Sequence, residues 1–172
     1  AMTIECLRGD ITRQPDVVAI VNAANAQLRP GGGVAGAIHR AAGPGLDEEC
    51  RQHAPIRPGE AVITGAHGLP NRFIIHCLGP VYGRDEPADG LLASCYRTAL
   101  HLANENGIAS IAFPSLSTGA FGFPMEEAAR VAMGAVLAEL RRPARVSLVR
   151  FVLFDDVARR LHQDVLDALT GR

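Results

Sequence analysis

The 172-residue chain contains no lysine and no tryptophan, and only two tyrosines and six phenylalanines. Its 17 basic residues are therefore all arginine, set against 18 acidic ones, and the formal charge is −1. Polyanions are held by clustered cations and by aromatic faces on which bases stack. Both are scarce, so a nucleic-acid polymer is not an expected partner. Also missing are an HExxH pair, a CxxC pair and any Cys/His spacing suited to zinc, since Cys6, Cys50, Cys77 and Cys95 lie far apart. No metal and no cofactor are expected, and four reduced thiols are the plain reading. No apolar run approaches the roughly 20 residues of a membrane span. The start, Ala1-Met2-Thr3-Ile4-Glu5, lacks the basic and apolar regions of a secretion signal, so a cytoplasmic setting without membrane attachment is expected. Ala1 ahead of Met2 reads as a cloning remnant and is set aside.

What the chain does have is enough apolar material for a core. With 48% hydrophobic and 20% charged residues it folds alone, and its length fits one domain over residues 1–172. Short β-rich runs at 4–7, 17–21, 61–64, 73–78, 110–113 and 147–153 alternate with helical patterns, and several are apolar on both faces. Leu92, Cys95, Tyr96, Ala99 and Leu102 recur at helical spacing before Asn106-Gly107. A second stripe, Ala129, Met133, Val136, Leu137 and Leu140, follows Pro124 in a first-turn position. A last helix follows Asp155-Asp156, which read as N-caps, and is expected to bury Val157, Leu161, Val165 and Leu169. Alternating strands and helices predict an α/β layer architecture. Such sheets bind ligands beyond the carboxyl ends of their strands, which directs attention to Asn22–Gly36, Ser115–Phe123 and Phe154-Asp155.

In the first of these, Gly31, Gly33 and Gly36 satisfy the dinucleotide pattern GxGxxG. That pattern needs its first glycine directly after a strand, whereas eight residues separate Asn22 from Gly31, so the match is discounted. The physics survives: residues without side chains bring amides close to an anion, and a helix starting near Val34 points its positive end there. A flexible glycine turn is the alternative. Ser115–Phe123 repeats the arrangement of small residues ahead of a helix, and two such cradles suit a diphosphate. Phe121 offers an aromatic face for a sugar, with a core position as the competing reading. His39 and His76 have no evident catalytic partner, and Cys77 and Cys95 no electropositive neighbour, so none is read as reactive.

Gly9-Asp10-Ile11-Thr12, Val21-Asn22-Ala23-Ala24-Asn25, the Gly31–Gly43 run, His76-Cys77-Leu78-Gly79-Pro80 and Phe113-Pro114 through Pro124 together resemble the macrodomain family in order and spacing, over essentially the whole chain. The pattern is most similar to bacterial MacroD-type hydrolases. The resemblance implies a three-layer α/β/α fold with a mixed central sheet that binds ADP-ribose. By the same analogy Asp10 accepts a hydrogen bond from the adenine amino group beside the Ile11 amide, and Asn25 holds the distal ribose. The amides of Gly32, Gly33, Val34 and Ala35 face those of Ser117, Thr118, Gly119, Ala120 and Phe121 around the diphosphate. Phe121 packs on the distal ribose and Phe154 lies against the adenosine end. The implied partners are ADP-ribose, ADP-ribosylated proteins and O-acetyl-ADP-ribose, bound by a monomer.

The family hydrolases release ADP-ribose from Glu- or Asp-linked protein adducts and deacetylate O-acetyl-ADP-ribose. Many bacterial members carry an Asp after Gly-Gly-Gly-Val, where this chain has Ala35. An alanine neither takes a proton nor holds water, and losing a general base typically costs about 100 to 10,000-fold in rate. Viral macrodomains with the same Gly-Gly-Gly-Val-Ala-Gly run are nevertheless hydrolases, by a route in which Asn25 orients the ribose and the substrate itself activates water. Hydrolysis by that route, a non-catalytic reader, and an enzyme inactivated at position 35, whether in nature or by design, stay open.

Overall fold

The computed structural model describes residues 2–172; Ala1, the suspected remnant, lies outside the described residues. Eleven elements follow one another: β1 (Thr3–Arg8), β2 (Ala19–Ala23), α1 (Gly33–Ala42), α2 (Pro44–Cys50), β3 (Ala61–Gly65), β4 (Phe73–Cys77), α3 (Ala88–Glu105), β5 (Ser110–Phe113), α4 (Met125–Leu140), β6 (Leu148–Leu153) and α5 (Asp156–Thr170). The six strands form one sheet in the order β1-β6-β5-β2-β4-β3. All neighbours run parallel except β3, which is antiparallel to β4.

Strand alternation divides the sheet into two faces. Ala19, Val21, Ile75, Ile111, Phe113 and Phe151 point into one core, covered by α3, α4 and α5. Ile20, Ile74, Ala112 and Val152 point into the other, where Ile38 of α1 and Leu46 of α2 meet them. Three layers result, α/β/α around a mixed sheet. Among the described residues no helix packs on β1 and β6 from the second face, and a charged knot lies there instead. Arg150 is buried and donates to Glu5 at 2.6 Å, to Gln14 at 3.0 Å and to both oxygens of Asp16 at 2.8 and 2.7 Å.

Four features differ from expectation. Strand β2 runs Ala19–Ala23 rather than 17–21, so Asn22 lies inside the strand. Its register with β4 carries Asn22 opposite His76, where Asn22 Nδ2 meets His76 Nδ1 while Asn22 Oδ1 is buried without a partner. The short helix α2 was not anticipated, although Gly43-Pro44 with proline in the first turn is its signature. Helix α5 buries Ala158, His162, Val165 and Leu166, while Val157 and Leu169 are 77% and 52% exposed. The cause is His162, which enters the core by pairing Nδ1 with the Ala158 carbonyl at 2.8 Å and lying beside the Phe151 ring, and so rotates the buried stripe. On α4, Leu137 and Leu140 are half-buried while Ala128, Ala132 and Glu139 are buried.

Candidate functional site

Sheet order and connection sense together place the site. The chain leaves β2 for α1 on one face and leaves β5 for α4 on the other, and β2 and β5 are neighbours, so a crevice opens between their carboxyl ends. Along that edge the loops follow the strands: residues 9–11 after β1, Phe154 after β6, 114–124 after β5, 24–32 after β2 and 78–82 after β4. Main-chain bonds bind the loops to one another, from Gly9 to Leu153 at 3.0 Å and from Ala24 to Cys77 at 2.9 Å. The expected site residues, scattered from position 10 to position 154, are thus aligned along one edge.

The loop after β2 is closed on itself. Asn25 Nδ2 donates to the Arg29 carbonyl at 2.8 Å, and the Arg29 amide returns a bond to Asn25 Oδ1 at 3.0 Å. Leu28 takes φ +57° between them and is buried against the α1/α2 core. An Asn side chain offers two N–H donors and two acceptor lone pairs, so the half-buried Asn25 keeps one of each. Beyond the loop, Gly32 is the N-cap of α1 and no side chain caps the helix; its first turn holds no acid either. The leading amides of α1 therefore point outward without partners, at the positive end of a helix. Gly33 has φ +57°, a conformation glycine adopts without strain. Gly36 is a glycine for another reason: a Cβ there would run into the Gly31 carbonyl. Val34 is half-buried, and Ala35, the third helical residue, is 5% exposed.

The loop after β5 is shaped mainly by its backbone. Ser117 has φ +66°, Phe123 N–H donates to the Ser117 carbonyl at 2.9 Å, and Gly122 N–H to the Gly119 carbonyl at 3.0 Å. Thr118 Oγ1 turns inward to Ser115, on its carbonyl at 3.1 Å and its hydroxyl at 2.9 Å. Among the described residues the amides of Ser117, Thr118, Gly119, Ala120 and Phe121 meet no backbone acceptor. Phe121 is half-buried and packs toward the α1/α2 core, over the sheet end, while its carbonyl accepts from the Tyr82 amide at 2.8 Å. The start of α4 is not itself a second cradle, because Glu126 and Glu127 occupy its first turn. Only the loop amides are left open on that side.

At the other end, Ile11 is buried and Phe154 is 81% exposed. Asp10 Oδ1 accepts from the Thr12 hydroxyl at 2.7 Å and the Thr12 amide at 2.9 Å, which hold its carboxyl below the ordinary carboxylate range. Asp155 is the cap of α5, its Oδ1 accepting from the Ala158 amide at 2.8 Å, so that helix start is already satisfied. Asp156 lies in the first turn, 3.3 Å from Arg8.

Beneath the first loop, buried His76 takes part in a polar knot, with Nδ1 3.0 Å from Asn22 Nδ2 and Nε2 2.9 Å from Thr64 Oγ1. Burial pushes its pKa down to about 3, so the ring is neutral. His39 is buried with both ring nitrogens unpartnered, and burial lowers its pKa too. Cys77 and Cys95 are buried thiols bonded to carbonyls, and the hydrogen bond with Cys95, together with burial, raises Cys77 well above the usual range. Among the described residues no group of three or more His, Cys, Asp or Glu side chains is placed to hold a metal ion, and no helix is long and apolar enough to cross a membrane. Residues that the sequence did not announce are Arg29 and Tyr82, whose bonds hold the two loops and which carry no local mark.

A family model described as Macro domain matches residues 21–132. The chain belongs to that family. A macro domain-containing protein of Streptomyces griseus is 48% identical over 169 residues, covering 95% of this chain and 94% of its own length. A mutant of the Oceanobacillus iheyensis macrodomain, solved with ADPR, superposes with a TM-score of 0.94 at 40% identity, over 99% of this chain and 95% of that one. The Trypanosoma brucei macrodomain in complex with ADP-ribose gives 0.87 at 38% identity, over 94% and 68%. The three-layer fold with a mixed sheet is therefore that of a macrodomain, and homologues of this domain occur in bacteria.

Proposed function

We propose that this macrodomain binds one ADP-ribose unit along the sheet edge and hydrolyses its ester linkages. The observation that carries the reading is the sequence of loops: an exposed aromatic and Asp10 at one end, two facing rows of unpartnered amides in the middle, and Asn25 at the other. Adenosine, diphosphate and distal ribose have that same order. In this reading Asp10 and the Ile11 amide take the adenine edge and Phe154 covers the adenosine. The amides of Gly32–Ala35 and Ser117–Phe121 enclose the diphosphate, Phe121 packs on the distal ribose, and the spare donor and acceptor of Asn25 bind its hydroxyls. Amides contribute no net charge, which agrees with a chain of charge −1. That structures of relatives carry ADP-ribose supports the ligand assignment.

For hydrolysis, water adds to the ester beside the distal ribose and releases a carboxylic acid and free ADP-ribose. No acid stands in the first turn of α1, so a phosphate oxygen of the substrate takes the proton from the attacking water and it passes on to the departing ribose oxygen as the acyl C–O bond breaks. Mono-ADP-ribosylated Glu or Asp side chains and O-acetyl-ADP-ribose are the substrates, as in MacroD-type enzymes, and the protein acts without a metal, as a cytoplasmic monomer. The same empty first turn favours a second reading, a reader that holds the adduct without cleaving it.

Calorimetry with ADP-ribose is expected to give micromolar or tighter binding, about −8 kcal/mol or better; no heat at high ligand concentration would defeat the assignment. Incubation with a Glu-linked ADP-ribosylated protein decides between enzyme and reader, release against retention. Ala35→Asp places a carboxylate at the positive start of α1, and single-turnover release is expected to rise at least about tenfold while affinity hardly changes. No gain would mean that position 35 is not an emptied base site.

A further inference from the structure

The turn that grips Asn25 is itself held from outside the site. Arg29, whose main-chain N–H and C=O both engage the Asn25 carboxamide, sends its side chain to α2, where Nε donates to Asp47 Oδ1 at 2.9 Å. Asp47 is mostly withdrawn from solvent, and its other oxygen lies 3.5 Å from Arg51 one helical turn further on. The Ile56 amide adds a bond to the Ala26 carbonyl at 2.9 Å on the opposite shoulder. As a contribution to stability the Arg29–Asp47 pair is minor, since the Arg29 side chain is 56% exposed and solvent screens the attraction. Its geometric effect is larger: a shift of the Arg29 backbone moves both bonds that orient Asn25 at once.

We infer that Asp47 is a positioning residue for Asn25, acting through the Arg29 backbone and touching no substrate. This rests on the assignment of Asn25 to the distal ribose, and the ion pair then sets which N–H and which lone pair the carboxamide presents. Two neighbouring features of the loop contribute less to that orientation. Leu28 fixes depth, being buried in the core, and Gly31 only leaves room, a Cβ there lying 3.3 Å from Asn25 Nδ2. Neither fixes the rotation of the amide plane.

The test has a part that needs no ligand. In ligand-free protein the side-chain amide signal of Asn25, identified by its loss in Asn25→Ala, is expected to shift toward the free-Asn position in Asp47→Ala, with the melting temperature little changed. Arg29→Met, which cuts the pair from the other end, must reproduce the shift, and Asp47→Asn, which keeps an acceptor for Arg29, must largely restore the signal. In the ligand-binding part, Asp47→Ala is expected to weaken ADP-ribose binding about three- to tenfold in the native background and to have no further effect on Asn25→Ala, the non-additivity of residues that act in series. An unmoved amide signal or an additive cycle overturns the inference. If the native protein fails to bind ADP-ribose, the functional reading falls, while the amide signal still reports whether Asp47 orients Asn25.

Discussion

The loop after β2 is gripped by a side chain, Asn25 on Arg29, and stands over a titratable knot of Asn22, His76 and Thr64. The loop after β5 is shaped by backbone bonds and a positive φ, and at its base the Leu116 amide donates to the buried Tyr96 hydroxyl at 3.3 Å. Both present unpartnered amides to the same crevice, by unlike means. The first offers one helix start plus a polar side chain with spare bonding capacity; the second offers a row of amides and an aromatic face. Side-chain chemistry that can choose among sugar substituents is confined to the first, while the second supplies shape.

Acid separates the two most strongly. The folded pKa of His76 is depressed to about 3, below the ordinary value of 6.5, so the unfolded chain takes up the proton first. The stability this contributes is complete above pH 6.5 and is lost as pH falls toward 3, on the order of a few kcal/mol, or roughly 10 °C in melting temperature. Tyr96 titrates in the opposite range, its pKa raised by burial, so the hydroxyl at the base of the second loop stays neutral in acid. Hydrogen exchange at pH 4 is expected to show residues 22–36 losing protection before residues 114–123. Equal loss in both would remove the distinction.

Gly36→Ala comes next. Its new Cβ meets main chain, the Gly31 carbonyl, which cannot step aside without moving the loop. A stability loss of about 1–3 kcal/mol is expected, with a tenfold or greater fall in ADP-ribose affinity by calorimetry. At Gly79 the obstacle is chiefly the Ser117 hydroxyl, the end of a rotatable side chain, with Ser117 Cβ behind it at 3.3 Å. Gly79→Ala should therefore cost about 1 kcal/mol or less, and adding Ser117→Ala should restore it. The smallest effect belongs to Ser117→Ala alone. That hydroxyl is buried without a partner, so its removal breaks no hydrogen bond, and melting temperature and affinity should stay within error. A large loss would show that the second loop uses a side chain after all.

Much of this was legible in the sequence, for identifiable reasons. Periodicity located all six strands and the long helices, because their apolar residues repeat at spacings that only one backbone geometry satisfies. It misjudged α5 because a histidine stood in a core position, and missed α2 because seven residues are too few for a period to emerge. The glycine runs pointed to both amide-bearing loops. What they could not reveal is closure: the ion pair between Arg29 and Asp47 and the bond from Tyr82 to Phe121 join residues 18 and 39 positions apart, and no local pattern encodes them. The difference between a helix start left open at α1 and one weakened for anions by Glu126 and Glu127 at α4 was in plain view, once the first turns were known.

The missing cap on α1 has an engineering consequence. A serine or aspartate at an N-cap stabilises a helix over glycine by only about a few tenths of a kcal/mol, and Gly32 forgoes even that. Gly32→Asp is thus a small stabilising change, yet the new carboxylate would occupy the very amides that the proposed reading gives to the diphosphate. Thermal screening alone would select such a variant and discard the ligand, so tolerance to heat and affinity must be optimised here as opposing quantities.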